Sequence, residues 1–335
     1  MTDDSVRMLR ADLHLHSYHS GHAGQLRFLR ARDCYSEPDA VYAAAKARGM
    51  DVVTITDHDS VDGCLEFLER HPDADDFFVS EEIECRFPDA DLRVHIGAYD
   101  ISEQIHRDIQ PLRRNVFEAV AYLRSESIFY ALNHPLFFYN GQLPLEDYLG
   151  FALRLFPAVE VRNGTMLSSH NELAEAMVRE WSASHSSPMT GIGGSDSHTL
   201  RGIGTTYTEA PGSTRDEFLQ NLRAGRARAG GRHGSAWREA REIYGVVGRY
   251  WATLLGAGRQ DLSWRRRTLG LAFSAFSMPF EFSPLIVAAL HKRNEARRVK
   301  DYRQKWEALC SAHNSGRWAK STRLPAPDAV TELAP

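Results

Sequence analysis

Four histidines lie within residues 14–22, in the stretch ADLHLHSYHSGHAG that spans residues 11–24. Histidine is the side chain that most often binds a metal ion in proteins. Side chains two positions apart on a strand point to the same face, so His14 and His16 would form half of a metal site. The alternative for this stretch taken alone is a solvated loop, because a short His-rich tract is only a compositional hint.

Other potential metal ligands lie where apolar runs end further along the chain. They are His58 after DVVTITD, Glu82 in DFFVSEEIE, His95 in RVHIGAYD, His134 in IFYALNHP, and Asp196 with His198 in MTGIGGSDSH. Helical patterns separate several of these runs, at 38–48, 103–125, 170–184 and 214–224. Strands that alternate with helices indicate an α/β fold with mostly parallel strands, as an open sheet or a barrel. In α/β barrels the chemistry sits at the carboxyl ends of strands, so this placement favours a metal site over scattered core histidines.

The order of these motifs resembles that of the polymerase and histidinol phosphatase (PHP) family. An HxH pair, TITDHD, a glutamate after a third strand, VHIGAY, NHP and GSDSH follow one another between about residue 10 and residue 233. The resemblance implies a distorted (βα)7 TIM-like barrel, the PHP fold, over residues 1–235, and hydrolysis of phosphoesters. It also implies two or three divalent metal ions, and imidazoles with carboxylates suit Mn, Zn or Fe.

The resemblance further implies which side chains bind these metals. One metal would be held by His14, His16, Glu82 and Asp196, a second by Glu82 with His95 and His134, and a third by His22, His58 and His198. Within this set, Asp196, His198 and His134 are the catalytic candidates.

Two assignments in this set depend on the register of the chain. Adjacent strand residues face opposite sides, so Glu81 is the alternative to Glu82. Many family members read S-D-G where this chain reads Ser20-Gly21-His22, which moves the expected ligand to His22. His19 is expected to be solvated, although a supporting or substrate-facing role is an alternative.

The ligand set predicts hydrolysis without a Ser or Cys nucleophile. Two metals about 3.5–4 Å apart lower the pKa of a bridging water, and the resulting metal-bridging hydroxide attacks the phosphoester. No Walker-type G-x-x-x-x-G-K-[ST] motif is present, which argues against a P-loop NTPase. Asp12, Asp57 and Asp59 flank the ligands and are candidate acceptors for imidazole N–H groups.

Substrate recognition requires donors for the phosphoryl oxygens. Arg162 lies at a strand end and Arg201 follows His198 by three residues, so either could bind phosphate through two hydrogen bonds. The alternative is that both are surface arginines.

Charge divides the chain into two parts. Residues 236–335 contain 17 Lys and Arg against 9 Asp and Glu, whereas residues 1–235 contain 23 against 35. The sequence therefore predicts a helical, basic and apolar extension over 236–320, followed by a disordered tail over 321–335. The apolar run 269–290 is long enough for a membrane helix, but Pro279, Glu281 and Pro284 interrupt it. We expect two helices packed against the barrel, with contact of 265–293 with a membrane surface as the alternative.

The composition is that of a soluble globular protein. The start MTDDSVRMLR has no apolar signal segment and the four cysteines form no C-x-x-C pair, so a cytoplasmic protein without a disulfide framework is expected. The expected partner is a small phosphorylated metabolite or nucleotide. The alternatives are a PHP-type nuclease or exonuclease, which the acidic first part disfavours, a metalloamidohydrolase, and a non-catalytic scaffold. The sequence does not indicate the oligomeric state.

Overall fold

Both strands and helices occur as far as residue 231, and the described residues after it form helices. The computed structural model describes residues 7–22, 31–88, 90–184, 189–257, 262–277 and 283–314, so the tail predicted over 321–335 lies outside them. The strands are β1 (Met8–Ala11), β2 (Ser80–Arg86), β3 (Arg93–Tyr99), β4 (Phe129–Leu132), β5 (Ala158–Asn163), β6 (Thr190–Gly194), β7 (Thr206–Pro211) and β8 (Arg228–Gly231). The helices are α1 (Pro38–Ala47), α2 (Asp62–Arg70), α3 (Glu103–Ile109), α4 (Val116–Ser125), α5 (Leu145–Leu155), α6 (Ser168–Ser184), α7 (Arg215–Arg223), α8 (Ala236–Leu254), α9 (Trp264–Ser277) and α10 (Ser283–Asn314).

The helix predicted over 103–125 is wrong as a single element. Helix α3 ends at Ile109, and a short 3-10 helix (Gln110–Arg114) separates it from α4. Pro111 lacks the N–H that an α-helix needs at this point. Asn115 then caps α4, because its side chain accepts a hydrogen bond from Phe117 N at 3.1 Å.

The strands form two hydrogen-bonded sheets, with orders β2-β3-β4-β5-β6 and β1-β7-β8. Strands β4, β5 and β6 are parallel, whereas β3 is antiparallel to both β2 and β4. The expectation of mostly parallel strands is therefore wrong, because four of the six described strand pairs are antiparallel: β1–β7, β2–β3, β3–β4 and β7–β8. The connection over 87–92 is too short for a crossover, and a short connection can join only antiparallel neighbours.

Extended segments that follow the named strands connect the two sheets. Thr56 N donates to Leu15 O at 2.9 Å, and His16 N donates to Ser197 O at 3.1 Å. Glu82 N donates to Asp57 O at 3.1 Å. These hydrogen bonds bring the ends of β1, β2 and β6 and the segment 53–58 side by side. The α/β class is confirmed, whereas a closed (βα)7 barrel stays a prediction, since the strands belong to two separate sheets.

The glycines of the GIGG segment allow β6 to lie against the chain that follows β1. A side chain on Gly194 would overlap the Cβ and backbone of His14. Asp196 N donates to His14 O at 2.6 Å just beyond this approach. The small residues thus bring the Asp196 side chain next to the histidines of residues 14–16.

The largest core cluster joins the sheet to the C-terminal helix α10. Val299, Tyr302 and Trp306 of α10 are buried in the same cluster as Ile83 of β2 and Ile96 of β3. Helix α10 also contacts α5, α6 and α8, and α9 contacts α8. The extension predicted over 236–320 therefore shares a core with the preceding residues. In the part of the chain that the structure describes, no helix combines the length and the apolar character needed to cross a bilayer.

Candidate metal centre

The carboxylate of Glu82 lies at the centre of a cluster of imidazoles. Its Oε1 is 3.1 Å from His14 Nε2, 3.0 Å from His95 Nδ1 and 3.2 Å from His134 Nε2. Its Oε2 is 2.9 Å from His58 Nδ1. The Glu82 side chain is completely buried, so bulk water does not contact its carboxylate.

The neighbouring Glu81 lies outside this cluster. Its Oε2 is 2.8 Å from Nδ1 of His106, on α3. Alternation along β2 directs the two carboxylates to opposite faces, as expected for a strand. Of the two alternatives, the structure brings Glu82 and not Glu81 together with the histidines.

The remaining members of the cluster come from the ends of other strands. His14 and His16 follow β1, and His16 Nε2 lies 3.7 Å from Glu82 Oε2 and 3.5 Å from Asp196 Oδ1. His134 and Asp196 follow β4 and β6, and both have positive φ angles, of 27° and 51°. Left-handed backbone is uncommon for residues with a Cβ, and it concentrates at functional sites.

Four groups of side chains have ligand atoms close enough together to hold a metal ion. Within each group of described residues, these atoms lie within 4.8 Å of one another. The groups are His14, Glu82 and His134; His14, His16 and Asp196; His58, Glu82 and His95; and His16, His58 and His198. Shared members make the groups neighbouring parts of one site.

The buried polar atoms of the cluster fit a cation. Among the described residues, five of them make no hydrogen bond of acceptable geometry despite the short distances above: His14 Nε2, His16 Nε2, Glu82 Oε2, His95 Nδ1 and His134 Nδ1. A buried polar atom without a partner costs about 1–3 kcal/mol, so such atoms are rare unless something binds them. Imidazole nitrogens with carboxylate oxygens are ligands that suit divalent transition metals.

Mutual charge holds the cluster together. Burial lowers the pKa of His14 and of His58, but the surrounding carboxylates together outweigh it and hold each pKa well above its usual range. These carboxylates are Glu82 with Asp196 and Glu160 around His14, and Glu82 with Asp33 around His58. Burial also opposes ionisation of Glu82, yet the imidazoles of His14 and His95 hold its pKa well below the usual range. Burial lowers the pKa of His16 to about 3, and the neighbouring imidazoles add to this shift. The carboxylate is thus ionised and available to a cation.

Asp33 is a member of the site that the sequence analysis missed. Its Oδ2 lies 3.4 Å from His58 Nε2 and 3.3 Å from His198 Nε2. Burial lowers the pKa of His198, but the carboxylates of Asp33 and Asp196 together outweigh it and raise the pKa to about 9. Asp33 follows a long connection after His22, so neither spacing nor strand alternation could identify it.

His22 does not lie with the third group of predicted ligands. Its side chain is exposed, and it forms an isolated bridge with Arg32. The groups of described residues that could hold a metal do not include it; His16 accompanies His58 and His198 instead. Gly21, just before His22, has a φ of 83°, a backbone conformation that favours glycine. His19, expected to be solvated, is only partly exposed, and its Nε2 lies 2.6 Å from Glu66 Oε2.

A second set of side chains orients the ligands, and it differs from the predicted one. His14 Nδ1 lies 3.0 Å from Glu160 Oε1, and His16 Nδ1 lies 3.0 Å from Ser20 Oγ. Ser20 Oγ in turn donates to Asp57 Oδ1 at 2.7 Å, so Asp57 supports an imidazole only indirectly. Glu160 was not predicted, although a glutamate within the apolar run AVEVRN is a sequence signal that could have identified it.

Asp12 and Asp59 do not accept imidazole N–H groups as predicted. Asp12 accepts backbone hydrogen bonds from Ser195 N at 2.8 Å and Gly204 N at 2.7 Å, which fixes the chain around β6. Asp59 accepts from Glu84 N at 2.9 Å and pairs with Arg113. Both carboxylates therefore hold backbone segments in place.

The described contacts of the two predicted phosphate-binding arginines lie outside the cluster. A β-bulge in β5 shifts the pairing with β6 between Glu160 and Arg162. The extra residue reverses the alternation, so Asn163 faces the site and donates to Asp196 Oδ2 at 3.1 Å. Arg162 Nη1 instead donates to Gly231 O at 3.1 Å. Arg201 is exposed, and its backbone carbonyl accepts from Arg48, which agrees with the surface alternative.

Comparison with known sequences supports the resemblance over part of the chain. Residues 169–227 match the family model described as PHP-associated. A stretch of 58 residues is 40% identical to an uncharacterized protein of Methanocaldococcus jannaschii, and it covers 17% of this chain and 33% of that protein. The chain thus matches about a third of the length of this curated relative. The resemblance to PHP proteins is confirmed by the family match.

Several solved structures are similar to this chain at low sequence identity. PsfC from Pseudomonas syringae has a TM-score of 0.50 at 17% identity, over 74% of this chain and 100% of that chain. A two-domain protein of Bacteroides vulgatus, which contains a predicted PHP-like metal-dependent phosphoesterase, has a TM-score of 0.49 at 18% identity, over 72% and 71%. The lesion-specific endonuclease PfuEndoQ from Pyrococcus furiosus has a TM-score of 0.45 at 14% identity, over 89% and 91%. The likeness to PsfC indicates a shared fold.

Proposed function

We propose that this protein hydrolyses phosphoesters of small phosphorylated metabolites or nucleotides with the help of divalent metal ions. The observation that carries the proposal is the set of buried imidazole and carboxylate atoms that meet around Glu82 without hydrogen-bond partners. The family match over residues 169–227 and the order of the PHP motifs agree with it. We also propose that the strands form the distorted seven-stranded barrel that the motifs imply.

The proposed ligands divide into neighbouring sites that share Glu82. His14, His16 and Asp196 would hold one ion. As the PHP resemblance implies, His95 and His134, which both lie close to Glu82 Oε1, would hold the next. We propose His58 and His198, with Asp33 in place of His22, for a third. When bound, Mn, Zn or Fe ions would supply Lewis acidity toward the phosphoryl oxygens and activate a water molecule.

The protein itself would contribute orientation and charge. Glu160 and Ser20 fix the ring orientations of His14 and His16, so that each Nε2 faces the shared carboxylate. Asn163 donates a hydrogen bond to Asp196 Oδ2, whereas His16 lies near the other oxygen, Oδ1. Cys34 and Cys64 are unsuitable as nucleophiles, because burial raises the pKa of each thiol to about 12. Direct attack by water is therefore the proposed reaction.

Metal removal tests the proposal directly. Dialysis against a chelator should abolish hydrolysis of p-nitrophenyl phosphate, and Mn, Zn or Fe should restore it. Glu82→Gln should lose both bound metal and activity, whereas Glu81→Gln, its neighbour on the other face of β2, should keep both. Full activity of the metal-free protein would overturn the proposal. Faster hydrolysis of p-nitroacetanilide than of the phosphate ester would favour the metalloamidohydrolase instead.

A further inference from the structure

A cavity of about 770 Å³ lies between helix α10 and the loop that follows β4. Aromatic residues of that loop, including Phe137 and Phe138, form one wall. Cationic side chains of α10, among them Arg297 and Arg298, form the other. We name this space the α10 cavity. The metal-centre residues described above do not line it.

The α10 cavity borders the candidate metal centre. The Phe138 ring lies 4.6 Å from the ring of His95. The guanidinium of Arg93 lies over the Phe138 ring, 4.7 Å from its centroid. The Phe137 ring lies 5.4 Å from that of His134 and 5.9 Å from that of His291 on α10. Phe137 and Phe138 are therefore a common wall, with metal ligands on one side and the cavity on the other.

The lining of the α10 cavity is positively charged. Four Arg and Lys side chains face it against a single carboxylate, Asp301. Lys305 pairs with Asp301 at 2.8 Å, and Arg93 pairs with Glu84 at 3.0 Å. Among the residues that the structure describes, neither Arg297 nor Arg298 has a carboxylate partner. Two guanidinium groups are thus available to an anion beside the candidate metal centre.

We propose that the α10 cavity binds a second phosphate group of the substrate, while the phosphoester to be hydrolysed lies at the metal centre. This inference rests on the proposed phosphoester hydrolysis and narrows it to bisphosphorylated compounds with a flat apolar body. The body would lie against Phe137 and Phe138, which separate the two sites. Arg297 and Arg298 would bind the distal phosphate, because one guanidinium group can donate two parallel hydrogen bonds to phosphate oxygens.

A matched pair of substrates tests this specificity. We would compare 4-hydroxyphenyl phosphate with 1,4-phenylene bisphosphate in the metal-loaded enzyme and in the variant Arg297→Ala/Arg298→Ala. The variant should lose about ten- to a hundredfold in kcat/KM for the bisphosphate and less than threefold for the monophosphate. Arg293→Ala/Lys300→Ala, which removes two exposed charges of α10 outside the cavity, is the control and should change neither value. Equal effects on both substrates, or none on the bisphosphate, would overturn the inference.

Calorimetry on the chelator-stripped protein separates this inference from the proposed function. The stripped wild type should bind 1,4-phenylene bisphosphate more tightly than the monophosphate, and the Arg297→Ala/Arg298→Ala variant should lose that preference. This result would support the α10 cavity even if the metal-loaded protein hydrolysed neither compound. Equal binding of both compounds by the wild type would refute the cavity. A single-stranded oligonucleotide that bound more tightly than the bisphosphate, with a steep dependence on salt, would also refute it.

Discussion

Single residues of the metal centre were predictable to different degrees. Alternation along an extended segment was enough to place His14 and His16 together, and the same rule separates Glu81 from Glu82. The direction of the Arg162 side chain could not be predicted, because β5 contains one extra residue. As a result, Asn163 faces the site where regular alternation would place Arg162. Asp33 could not be predicted either, since its loop has no periodic pattern. Local geometry is readable from spacing only where the backbone is regular.

Metal binding should release protons, and its affinity should depend on pH up to about 9. The pKa of His198 is raised to about 9 beside Asp33 and Asp196, and the pKa values of His14 and His58 are raised by the surrounding carboxylates against the effect of burial. These imidazoles are protonated in the metal-free protein near neutral pH, so a cation must displace their protons. The apparent Kd for Mn or Zn should therefore rise as pH falls from about 9. For an ordinary imidazole it would rise only near and below about 6.5.

Calorimetric titration at pH 7.5 in two buffers of different ionisation enthalpy measures this proton release. We expect a buffer-dependent heat that corresponds to net release of protons. A buffer-independent heat, together with a constant Kd between about pH 6.5 and 9, would contradict the prediction.

Asp33 and His22 should differ in their effect on metal content. Asp33→Asn removes a negative charge within 3.4 Å of both His58 Nε2 and His198 Nε2, so the metal at these histidines should be lost or weakened. His22→Ala changes an exposed side chain outside the candidate groups and should leave the metal content unchanged. Elemental analysis of both purified variants, with circular dichroism as the folding control, decides between them. Loss of metal only in His22→Ala would restore the prediction made from the sequence.

At the scale of elements, α10 supports the metal centre through a buried ion pair. Lys292 Nζ donates to Glu295 Oε2 at 2.7 Å and to Thr165 O at 2.6 Å, and Glu295 Oε1 accepts from Leu167 N at 2.7 Å. Thr165 Oγ1 donates to Asp196 Oδ2 at 3.0 Å. The loop between β5 and α6 thus connects the C-terminal helix to a candidate ligand. No sequence pattern relates residues so far apart, so this connection could not be predicted.

Lys292→Met should destabilise both the fold and the metal site. The substitution leaves the buried carboxylate of Glu295 without its cation, and such a loss costs about 3–5 kcal/mol. Because the loop at Thr165 loses an anchor, the affinity for metal should fall by about tenfold or more. Urea denaturation and metal titration measure the two effects. Lys300→Met, an exposed position on the same helix, should show neither effect. Unchanged stability of Lys292→Met would show that the pair has no structural role.

At the scale of the whole molecule, the α/β class was predictable and the arrangement of the sheets was not. Apolar runs and helical patterns alternate clearly along the first 235 residues. The links between sheets, in contrast, depend on single hydrogen bonds such as that from Thr56 N to Leu15 O. The C-terminal extension differs in charge from the preceding residues, yet its apolar side chains enter the same core. Charged side chains lie mainly at the protein surface. The difference in net charge between the two parts of the chain therefore could not predict that they share a core.

Trp306→Ala should destabilise the complete protein and not only the extension. Trp306 is 4% exposed within the largest core cluster, and truncation of a buried Trp costs about 3–5 kcal/mol. Trp264→Ala is the control, because Trp264 is 72% exposed, and it should change the free energy of unfolding by less than about 0.5 kcal/mol. Circular dichroism and metal release should follow one transition in both variants. Early loss of helical signal with retained metal would indicate an independent extension.

The left-handed backbone at His134 and Asp196 has an evolutionary consequence. Their φ angles of 27° and 51° cost about 1–3 kcal/mol each. Under the proposed function, natural selection for the metal ligands maintains these residues against that cost. In a descendant that no longer needs the site, glycine or asparagine at the two positions would be favoured, since both tolerate such backbone. A lineage that abandons the reaction should therefore become more stable, and its first substitutions should occur where the ligands were.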